Sequence, residues 1–331
     1  MELKKSLKFL GILSAIYWVL ALMIFFVAFE RFTQVIPNTF INIYWLSIIC
    51  AFLFIGLFVF VEYRQGLKGK KNLVVSLISL YTTYGFLLRQ LVKREFKVKY
   101  KRSVLGAAWS FLNPLLIMGI QYVVFSTLFK SSTPNYPVYL LSGIVFFNLF
   151  NEGTNSGMTS ITGNASLLKK VYMPKYIYPL SKLISSLINF GISLIPLVII
   201  MLITRTPLTW SLLLLIFDIF FFLIFIFGVI LILSTLMTFF QDMQFLWGVV
   251  TLAWNYLTPI FYTDNIIPEK FIKLYHVNPL YQYINFARMC IIDGVSPAAS
   301  SYVWCVVCAL VSLFLGVIIF KKNEDKFVLH L

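Results

Sequence analysis

Basic side chains are concentrated in one short segment of the chain, RQLVKREFKVKYKR, which runs from Arg89 to Arg102. Clustered lysine and arginine side chains bind phosphate groups, and each one near an anionic surface contributes about 1 kcal/mol. We therefore predict that part of this cluster recruits the diphosphate of a lipid-linked molecule. The alternative is that the charges only set membrane topology and hold anionic phospholipid. The cluster consists of Lys93, Arg94, Lys97, Lys99, Lys101 and Arg102, and all of these except Lys99 are selected as substrate-binding candidates.

Polar groups inside otherwise apolar segments form a second set of candidates. Asp218 lies in LLLLIFDIFFFL, where a buried charge costs about 2.5–3.5 kcal/mol on insertion scales. Such an acid is a candidate for substrate contact or for a role in proton transfer, and interhelical hydrogen bonding is the alternative. Asn113 precedes Pro114 inside another apolar segment, so the helix is predicted to kink there, either to shape a channel entrance or as ordinary packing. Glu152, near the end of a shorter apolar segment, is interpreted as solvated.

Aromatic residues make up 18% of the chain, and several of them are candidates for substrate contact. A sugar ring has apolar C–H faces that stack on an aromatic ring without requiring one particular sugar. Among the aromatic residues we select Trp109, Tyr122 and Tyr262. The alternative for each is a place in the interfacial aromatic belt or in the protein core.

Membrane-spanning helices must position all of these residues. Hydrophobic residues make up 60% of the chain and charged residues 12%, well below the roughly 25% charged residues of a soluble domain. The chain is therefore predicted to be an all-α polytopic membrane protein. Apolar runs long enough to cross a bilayer predict eight spans, near residues 9–28, 41–61, 104–129, 137–155, 177–203, 209–239, 244–262 and 300–320.

The distribution of basic residues predicts the orientation of these spans. If the N-terminus is cytoplasmic, all but six of the 27 Lys and Arg residues fall in cytoplasmic segments, and the six others are Arg31, Lys130, Arg205, Lys270, Lys273 and Arg288. The positive-inside rule favours that orientation. We expect a multi-pass protein of a bacterial cytoplasmic (inner) membrane with both termini in the cytoplasm. Residues 1–66 are predicted to form a two-span extension, residues 67–102 a cytoplasmic connector with an amphipathic helix, and residues 103–331 a six-span core.

A cytoplasmic loop after the fourth span contains a second functional candidate. The loop reads SITGNASLLKKVYMPKYIYPLSK, in which Gly163 and Asn164 favour a turn, the next residues favour a short helix, and Pro174 ends it. A short helix with apolar and basic faces suits docking against a cytoplasmic partner, and a plain connecting loop is the alternative.

The chain contains no pattern typical of a catalytic or cofactor site. No GxxxxGK[ST] phosphate loop occurs, so any ATP must be hydrolysed by another polypeptide. The outer acids are scattered and form no carboxylate pair, which argues against catalysis. Cys305 and Cys308 form a CVVC inside an apolar span, where packing is the favoured interpretation. We expect no metal, no cofactor and no nucleic-acid partner.

Several phrases of the sequence resemble the permeases of type-2 ABC exporters for polysaccharides (O-antigen and capsule type) and teichoic acids. They are KREFKVKYKRSVLGAAWSFLNPLL, PVYLLSGIVFFNLF, GNASLLKKVYMPKYIYPLSKLISSLINF, FFQDMQ, LTPIFY and NPLYQYINFAR, and they occur in the same order as in that family. The similarity covers roughly residues 84 to 322. The chain departs from the family in its two N-terminal spans and in having Gln241 before Asp242, where the family more often has arginine.

The resemblance implies a six-helix permease that forms a homodimer around a channel, together with two copies of a separate ABC ATPase. It implies that residues 86–101 form an amphipathic interface helix and that Ile267–Lys273 and Leu280–Cys290 form short re-entrant outer helices. It also implies a coupling helix from Asn164 to Tyr172 that receives the ATPase stroke, with Asn164, Leu167, Leu168, Lys169 and Lys170 as its contact residues.

The function implied is export of a polyprenyl-diphosphate-linked polysaccharide or teichoic acid across the cytoplasmic membrane. Three alternatives remain open at this stage. One is a membrane-embedded enzyme acting on polyprenyl-linked glycans, another is a membrane scaffold without a channel, and the third is an ABC exporter of another lipid or a drug.

Overall fold

The computed structural model describes residues 73–129, 135–170, 173–262, 275 and 277–330. The predicted N-terminal spans at 9–28 and 41–61, the outer helix at 267–273 and Lys130 lie outside the described residues. The chain divides into two compact units, Met1–Leu88 and Arg89–Leu331. Of the first unit, only residues 73–88, which form the start of one helix, are described.

All the regular secondary structure of the described residues is helical, as the sequence predicts. The α-helices are α1 (Leu73–Tyr100), α2 (Ala108–Phe129), α3 (Tyr136–Met158), α4 (Ala165–Lys170), α5 (Ile177–Ile203), α6 (Leu214–Phe239), α7 (Met243–Leu257), α8 (Pro279–Arg288), α9 (Ala299–Asn323) and α10 (Phe327–His330). Short 3₁₀ turns at Thr162–Asn164, Trp210–Leu213 and Glu324–Lys326 and a π turn at Met289–Asp293 connect or extend them.

Four segments have the length and apolarity to cross a membrane within the described part of the chain: Ala108–Ser126, Ile177–Ile203, Trp210–Phe239 and Ala299–His330. They correspond to four of the predicted core spans. The predicted span at 244–262 differs, because α7 ends at Leu257 and is only 15 residues long. Its length is about 22 Å, short of a hydrocarbon core of about 30 Å, and the chain after it is extended at Thr258 and Pro259.

The interface helix is longer than predicted. It was expected over 86–101, and α1 instead begins at Leu73 and ends at Tyr100. The residues before 86 contain no proline and are mostly apolar, so nothing in them ends a helix. Near its C-terminal end, Leu91 and Val92 are buried while Lys93 and Lys97 are exposed, as an amphipathic helix requires.

The core centres on α3, which packs against α2, α5, α6, α7 and α8. Large aromatic side chains fill it: the ring centroids of Phe146 and Phe190 are 5.3 Å apart, and those of Phe222 and Tyr283 are 4.8 Å apart. The tightest helix pair is α6 with α9. A Cβ atom on Gly316 would lie 2.4 Å from the carbonyl oxygen of Gly228. The two helix backbones can therefore pack this closely only because both residues are glycine and lack a Cβ atom.

Candidate functional site

A polar cavity of about 490 Å³ lies between the end of α1 and helices α2, α3 and α5. One wall is a polar stripe on α3, whose members recur at helical spacing and therefore share a face: Asn148, Asn151, Glu152 and Asn155. The facing wall is formed by hydroxyl and amide side chains of α5, namely Ser186, Asn189 and Ser193. Lys99 and Tyr100 of α1 and Trp109, Ser110 and Asn113 of α2 complete the lining.

Glu152 joins three of these helices. Its Oε1 lies 2.8 Å from Lys99 Nζ and accepts a hydrogen bond of 2.5 Å from Asn189 Nδ2. The Tyr100 hydroxyl donates to Asn189 Oδ1 at 3.0 Å and also contacts the Ser110 hydroxyl. The interpretation of Glu152 as simply solvated was therefore wrong, because the carboxylate is only partly exposed and is paired with a lysine and an amide.

The cavity is nearly neutral as a whole. Lys99 and Glu152 are its charged members, and they form an ion pair with each other. The rest of its polar surface consists of amides and hydroxyls, which both donate and accept hydrogen bonds. Asn155 Nδ2 already donates to the backbone and side-chain oxygens of Asn151, at 2.8 and 2.7 Å, so the stripe on α3 is internally ordered.

A shallow depression with a different character adjoins the cavity. It is lined by Val98, Lys99, Lys101, Arg102 and Ser103, and Lys99 therefore belongs to both. Lys101 and Arg102 are exposed, and they follow directly on the end of α1. A cationic depression therefore lies beside a cavity that is nearly neutral.

The remaining members of the predicted basic cluster occupy other positions. Lys93 and Lys97 are exposed on α1 and line neither the cavity nor the depression. Arg94 is directed to the loop after α3, where its NH2 group donates to Asn164 Oδ1 at 2.5 Å. Arg94 thus connects the predicted interface helix to the predicted coupling segment.

The predicted coupling segment is a 3₁₀ turn at Thr162–Asn164 followed by α4, which ends at Lys170. Asn164 is buried, and its Nδ2 donates to the Ser160 carbonyl at 2.8 Å. Leu168 is buried, Leu167 is half-buried, and Lys169 is exposed. The side chain of Lys170 and residues 171–172 lie outside the described residues.

Glu95, which the sequence analysis did not select, extends the connection to α5. Its Oε2 lies 2.5 Å from Lys182 Nζ, and its Oε1 accepts a hydrogen bond of 2.9 Å from Arg94. Burial raises the pKa of Glu95, but the hydrogen bonds and charges of Lys182 and Arg94 outweigh burial, so its pKa lies below the usual value. The carboxylate is therefore charged at neutral pH and links α1 to α5.

Trp109 and Asn113 line the cavity, whereas the other predicted substrate residues lie elsewhere. Tyr122 is exposed on α2, with its ring 6.1 Å from that of Tyr136. The Tyr262 hydroxyl donates to the Tyr256 carbonyl at 2.8 Å. Asp218 is fully buried in α6, and neither of its carboxylate oxygens has a hydrogen-bond partner among the described residues.

At the opposite end of α3, Arg288 holds the segment after α7. Its NH1 donates to the Pro259 carbonyl at 2.7 Å, and its NH2 donates to the carbonyls of Tyr139 and Ile260, both at 3.2 Å. The guanidinium carbon lies 3.5 Å from the centre of the Tyr139 ring, a cation–π contact. These contacts tie the phrases LTPIFY and NPLYQYINFAR to α3.

Asn278 makes the second connection at this end. Its Oδ1 accepts from the Leu280 amide at 3.1 Å, which caps α8, and from Trp254 Nε1 at 2.8 Å. Its Nδ2 donates to the Thr258 hydroxyl at 3.0 Å. The predicted helix beginning after Asn278-Pro279 is confirmed, and one amide side chain joins it to α7.

No group of three or more His, Cys, Asp or Glu side chains within the described ranges is arranged to hold a metal ion. Cys305 is buried and Cys308 half-buried in α9, and neither is in a disulfide. The buried cysteines pack with the core.

Comparison with known proteins identifies the family. The family model for ABC-2 type transporters matches residues 86–292, more than half of the chain. The chain belongs to the ABC-2 type transporter family. The match confirms the predicted family and the predicted role of a multi-pass membrane permease subunit, and membership of this family implies a partner ATPase.

The relatives are bacterial export proteins. The chain is 32% identical over 225 residues to the O-antigen export system permease protein RfbA of Klebsiella pneumoniae, covering 66% of this chain and 85% of the relative. It is 26% identical over 257 residues to the Myxococcus xanthus protein of that name, covering 77% and 98%. It is 23% identical over 248 residues to the polysialic acid transport protein KpsM of Escherichia coli, covering 70% and 91%.

Most of these contacts were not predicted from the sequence. Lys99 was predicted only as a member of the basic cluster, and Tyr100 and Asn189 were not selected, because each becomes distinctive only through its partner on another helix. One pattern was available: Asn148, Asn151, Glu152 and Asn155 recur at i, i+3, i+4 and i+7 in an otherwise apolar segment. That spacing predicts a single polar helix face.

Proposed function

We propose that this chain is the membrane permease of an ABC exporter that moves a polyprenyl-diphosphate-linked polysaccharide of the O-antigen or capsular kind across the bacterial cytoplasmic membrane. The observation that carries the proposal is the family match over residues 86–292 together with relatives named for O-antigen export and polysialic acid transport. A teichoic acid is the alternative candidate cargo, because it is carried on the same kind of lipid diphosphate.

Two features of the structure support the direction and the coupling of this transport. Arg94 on α1 is hydrogen-bonded to Asn164 at the start of the coupling segment, so displacement of that segment moves the amphipathic helix. The cationic depression at Lys101 and Arg102 suits capture of a diphosphate. Both features lie among the segments that the positive-inside rule assigns to the cytoplasm.

The assembly we propose contains two permease chains around one channel and two ATPase chains below them, with both termini of the permease in the cytoplasm. In this proposal the six spans of residues 103–331 are the four long apolar segments, α3, and α7 together with the residues that follow it. Residues 67–102 form the connector and interface helix, and residues 1–66 are an added two-span extension. The ATPase contacts α4, where Lys169 is exposed.

The test has a biochemical and a cellular arm. Affinity purification of the tagged chain in mild detergent should retain an ATPase with a phosphate-loop motif in equal amounts. Deletion of the chain in its own bacterium should remove long-chain polysaccharide from the cell surface and leave lipid-linked glycan inside. A folded chain that retains no ATPase, or a deletion strain with unchanged surface glycan, contradicts the proposal. A change in surface lipid or drug efflux alone would instead assign another cargo.

A further inference from the structure

We propose that the cavity between α1, α2, α3 and α5 binds the first sugar of the substrate while the adjoining cationic depression binds its diphosphate. This inference rests on the proposed function and adds a division of the headgroup between two subsites. The chemical class it selects is a glycosyl diphosphate whose first sugar is uncharged.

The two subsites differ in charge. The depression contains Lys99, Lys101 and Arg102 and no acid, so it suits an anion. The cavity has its one lysine paired with Glu152 at 2.8 Å and otherwise presents amides and hydroxyls. A diphosphate inside the cavity would meet the Glu152 carboxylate, whereas an uncharged ring with many hydroxyls meets donors and acceptors on every side.

The two subsites are directly connected. Lys99 lines both of them and is 41% exposed, so it stands at their boundary. A sugar is linked directly to its diphosphate, and the two subsites must therefore touch, as these do. The two regions are consecutive in sequence as well, because Lys99, Lys101 and Arg102 lie where α1 ends.

The size and the lining of the cavity also suit a sugar. A volume of about 490 Å³ falls within the range of about 300–1,000 Å³ typical of small-molecule sites. Trp109 borders the cavity with 45% of its surface exposed, which leaves a ring face for an apolar sugar face. Asn113 of α2 and Asn148 of α3 also line the cavity and supply amide groups.

The experiment measures binding to the full-length wild-type chain in lipid nanodiscs by titration calorimetry. The probes are farnesyl diphosphate, the same lipid carrying one neutral hexose, and the same lipid carrying the corresponding uronic acid. We expect the neutral hexose to lower the Kd about tenfold relative to the bare diphosphate, which is what one or two added hydrogen bonds provide. The uronic acid should give less than half of that gain, because its carboxylate meets Glu152.

Variants then assign the two subsites. Glu152→Gln leaves the Lys99 charge unpaired, so the preference should shift from the neutral hexose to the uronic acid, a gain that a merely structural role cannot produce. Lys101→Gln with Arg102→Gln should weaken all three probes equally and leave the effect of the sugar unchanged. Asp325→Asn, an exposed acid of the C-terminal segment, is the matched control and should change nothing.

Two results overturn the inference. One is equal affinity of the wild-type chain for farnesyl diphosphate and its hexose derivative, a measurement that needs no variant. The other is an unchanged sugar preference in folded Glu152→Gln. If either result is obtained while the ATPase is retained and surface polysaccharide is made, only the proposed sugar subsite is contradicted. Loss of the ATPase and of export in the wild type would instead remove the proposed function.

Discussion

The Arg94 guanidinium and the Asn164 side-chain amide, on two segments predicted to be cytoplasmic and to have separate tasks, are hydrogen-bonded at 2.5 Å. Asn164 is buried, and its Nδ2 donates to the Ser160 carbonyl, so the side chain is held at both ends. Arg94 also bonds Glu95, which pairs with Lys182 on α5. Arg94 therefore links separate segments of the fold, whereas its basic neighbours Lys93 and Lys97 are exposed to solvent.

Arg94→Ala should lower export without removing the ATPase. The substitution removes a charge-assisted hydrogen bond worth about 1.5–3 kcal/mol when buried, and about 1 kcal/mol here because Arg94 is 42% exposed. The ATP hydrolysis rate of the purified complex should then depend less on added lipid-linked glycan. Arg89→Ala, at an exposed basic position of α1 outside the predicted substrate residues, is the control. Normal glycan stimulation in the Arg94 variant would rule out the mechanical role.

Glu95 should make stability depend on pH in a defined direction. Its pKa is lower in the folded state, so it contributes stability that is present above its unfolded pKa and is lost as pH falls through the folded value. Glu95→Gln should therefore be less stable than wild type at pH 7, by about 1 kcal/mol. The difference should vanish in acid. Thermal unfolding in nanodiscs between pH 7 and pH 3 measures it, with Asp325→Asn as the control; a constant difference would contradict the assignment.

Charge reversal at Lys169 should weaken ATPase docking. Lys169 is the exposed basic residue of α4 whose side chain is described, and a partner that binds there loses a favourable contact when the charge is inverted. Lys169→Glu should reduce the retained ATPase severalfold at physiological salt, with the melting temperature unchanged. The same change at Lys322, exposed at the end of α9, provides a comparison. Equal retention in both variants would move the docking surface elsewhere.

Arg288→Lys should destabilise the segment after α7 even though the charge is kept. The guanidinium donates to three carbonyl oxygens and stacks on Tyr139, and a lysine ammonium cannot reproduce that planar arrangement. We expect a loss of about 2–3 kcal/mol in the free energy of unfolding. Arg205→Lys, at an exposed position, should cost little. Similar melting temperatures for both variants would show that the Arg288 contacts carry no net stability.

Gly316→Leu should separate α6 from α9. Even one added carbon would lie 2.4 Å from a backbone oxygen of Gly228, which no side-chain rearrangement can relieve. Overpacking of a core costs about 1–3 kcal/mol when side chains can adjust, and a backbone clash costs more. Gly248→Leu is the control, since a Cβ there meets nothing within 4 Å. Expression and gel-filtration profiles like those of the control would show that the helix pair can open.

The sequence predicted the long apolar helices well, because length and hydropathy are local properties. Helices α2, α5, α6 and α9 lie where the apolar runs place them, and Asn278-Pro279 begins a helix as its cap chemistry requires. The end of α7 was predicted too late, because Thr258 and Pro259 are followed by more apolar residues that maintain a high hydropathy. The run of hydrophobic residues continues where the helix does not.

The candidate site was less accessible to prediction, because its decisive contacts join distant residues. Nothing local distinguishes Lys99 from Lys97, yet only Lys99 lies 2.8 Å from Glu152. Asn189 stands alone among apolar and small residues of α5, and its importance follows from the two groups it binds. Trp109 and Asn113, which were selected for substrate contact, line the cavity, and their contact with substrate stays a prediction.

The polar stripe on α3 also constrains how the protein enters the membrane during synthesis. Asn148, Asn151, Glu152 and Asn155 emerge from the ribosome before Asn189 of α5 does, so an early-inserted α3 would expose its amides and carboxylate to lipid. Lys99 is already available and provides the first partner for Glu152. Helix α3 must therefore wait at the translocation machinery, or insert together with its neighbours, until α5 arrives. Biogenesis of this permease is accordingly a cooperative, multi-helix event.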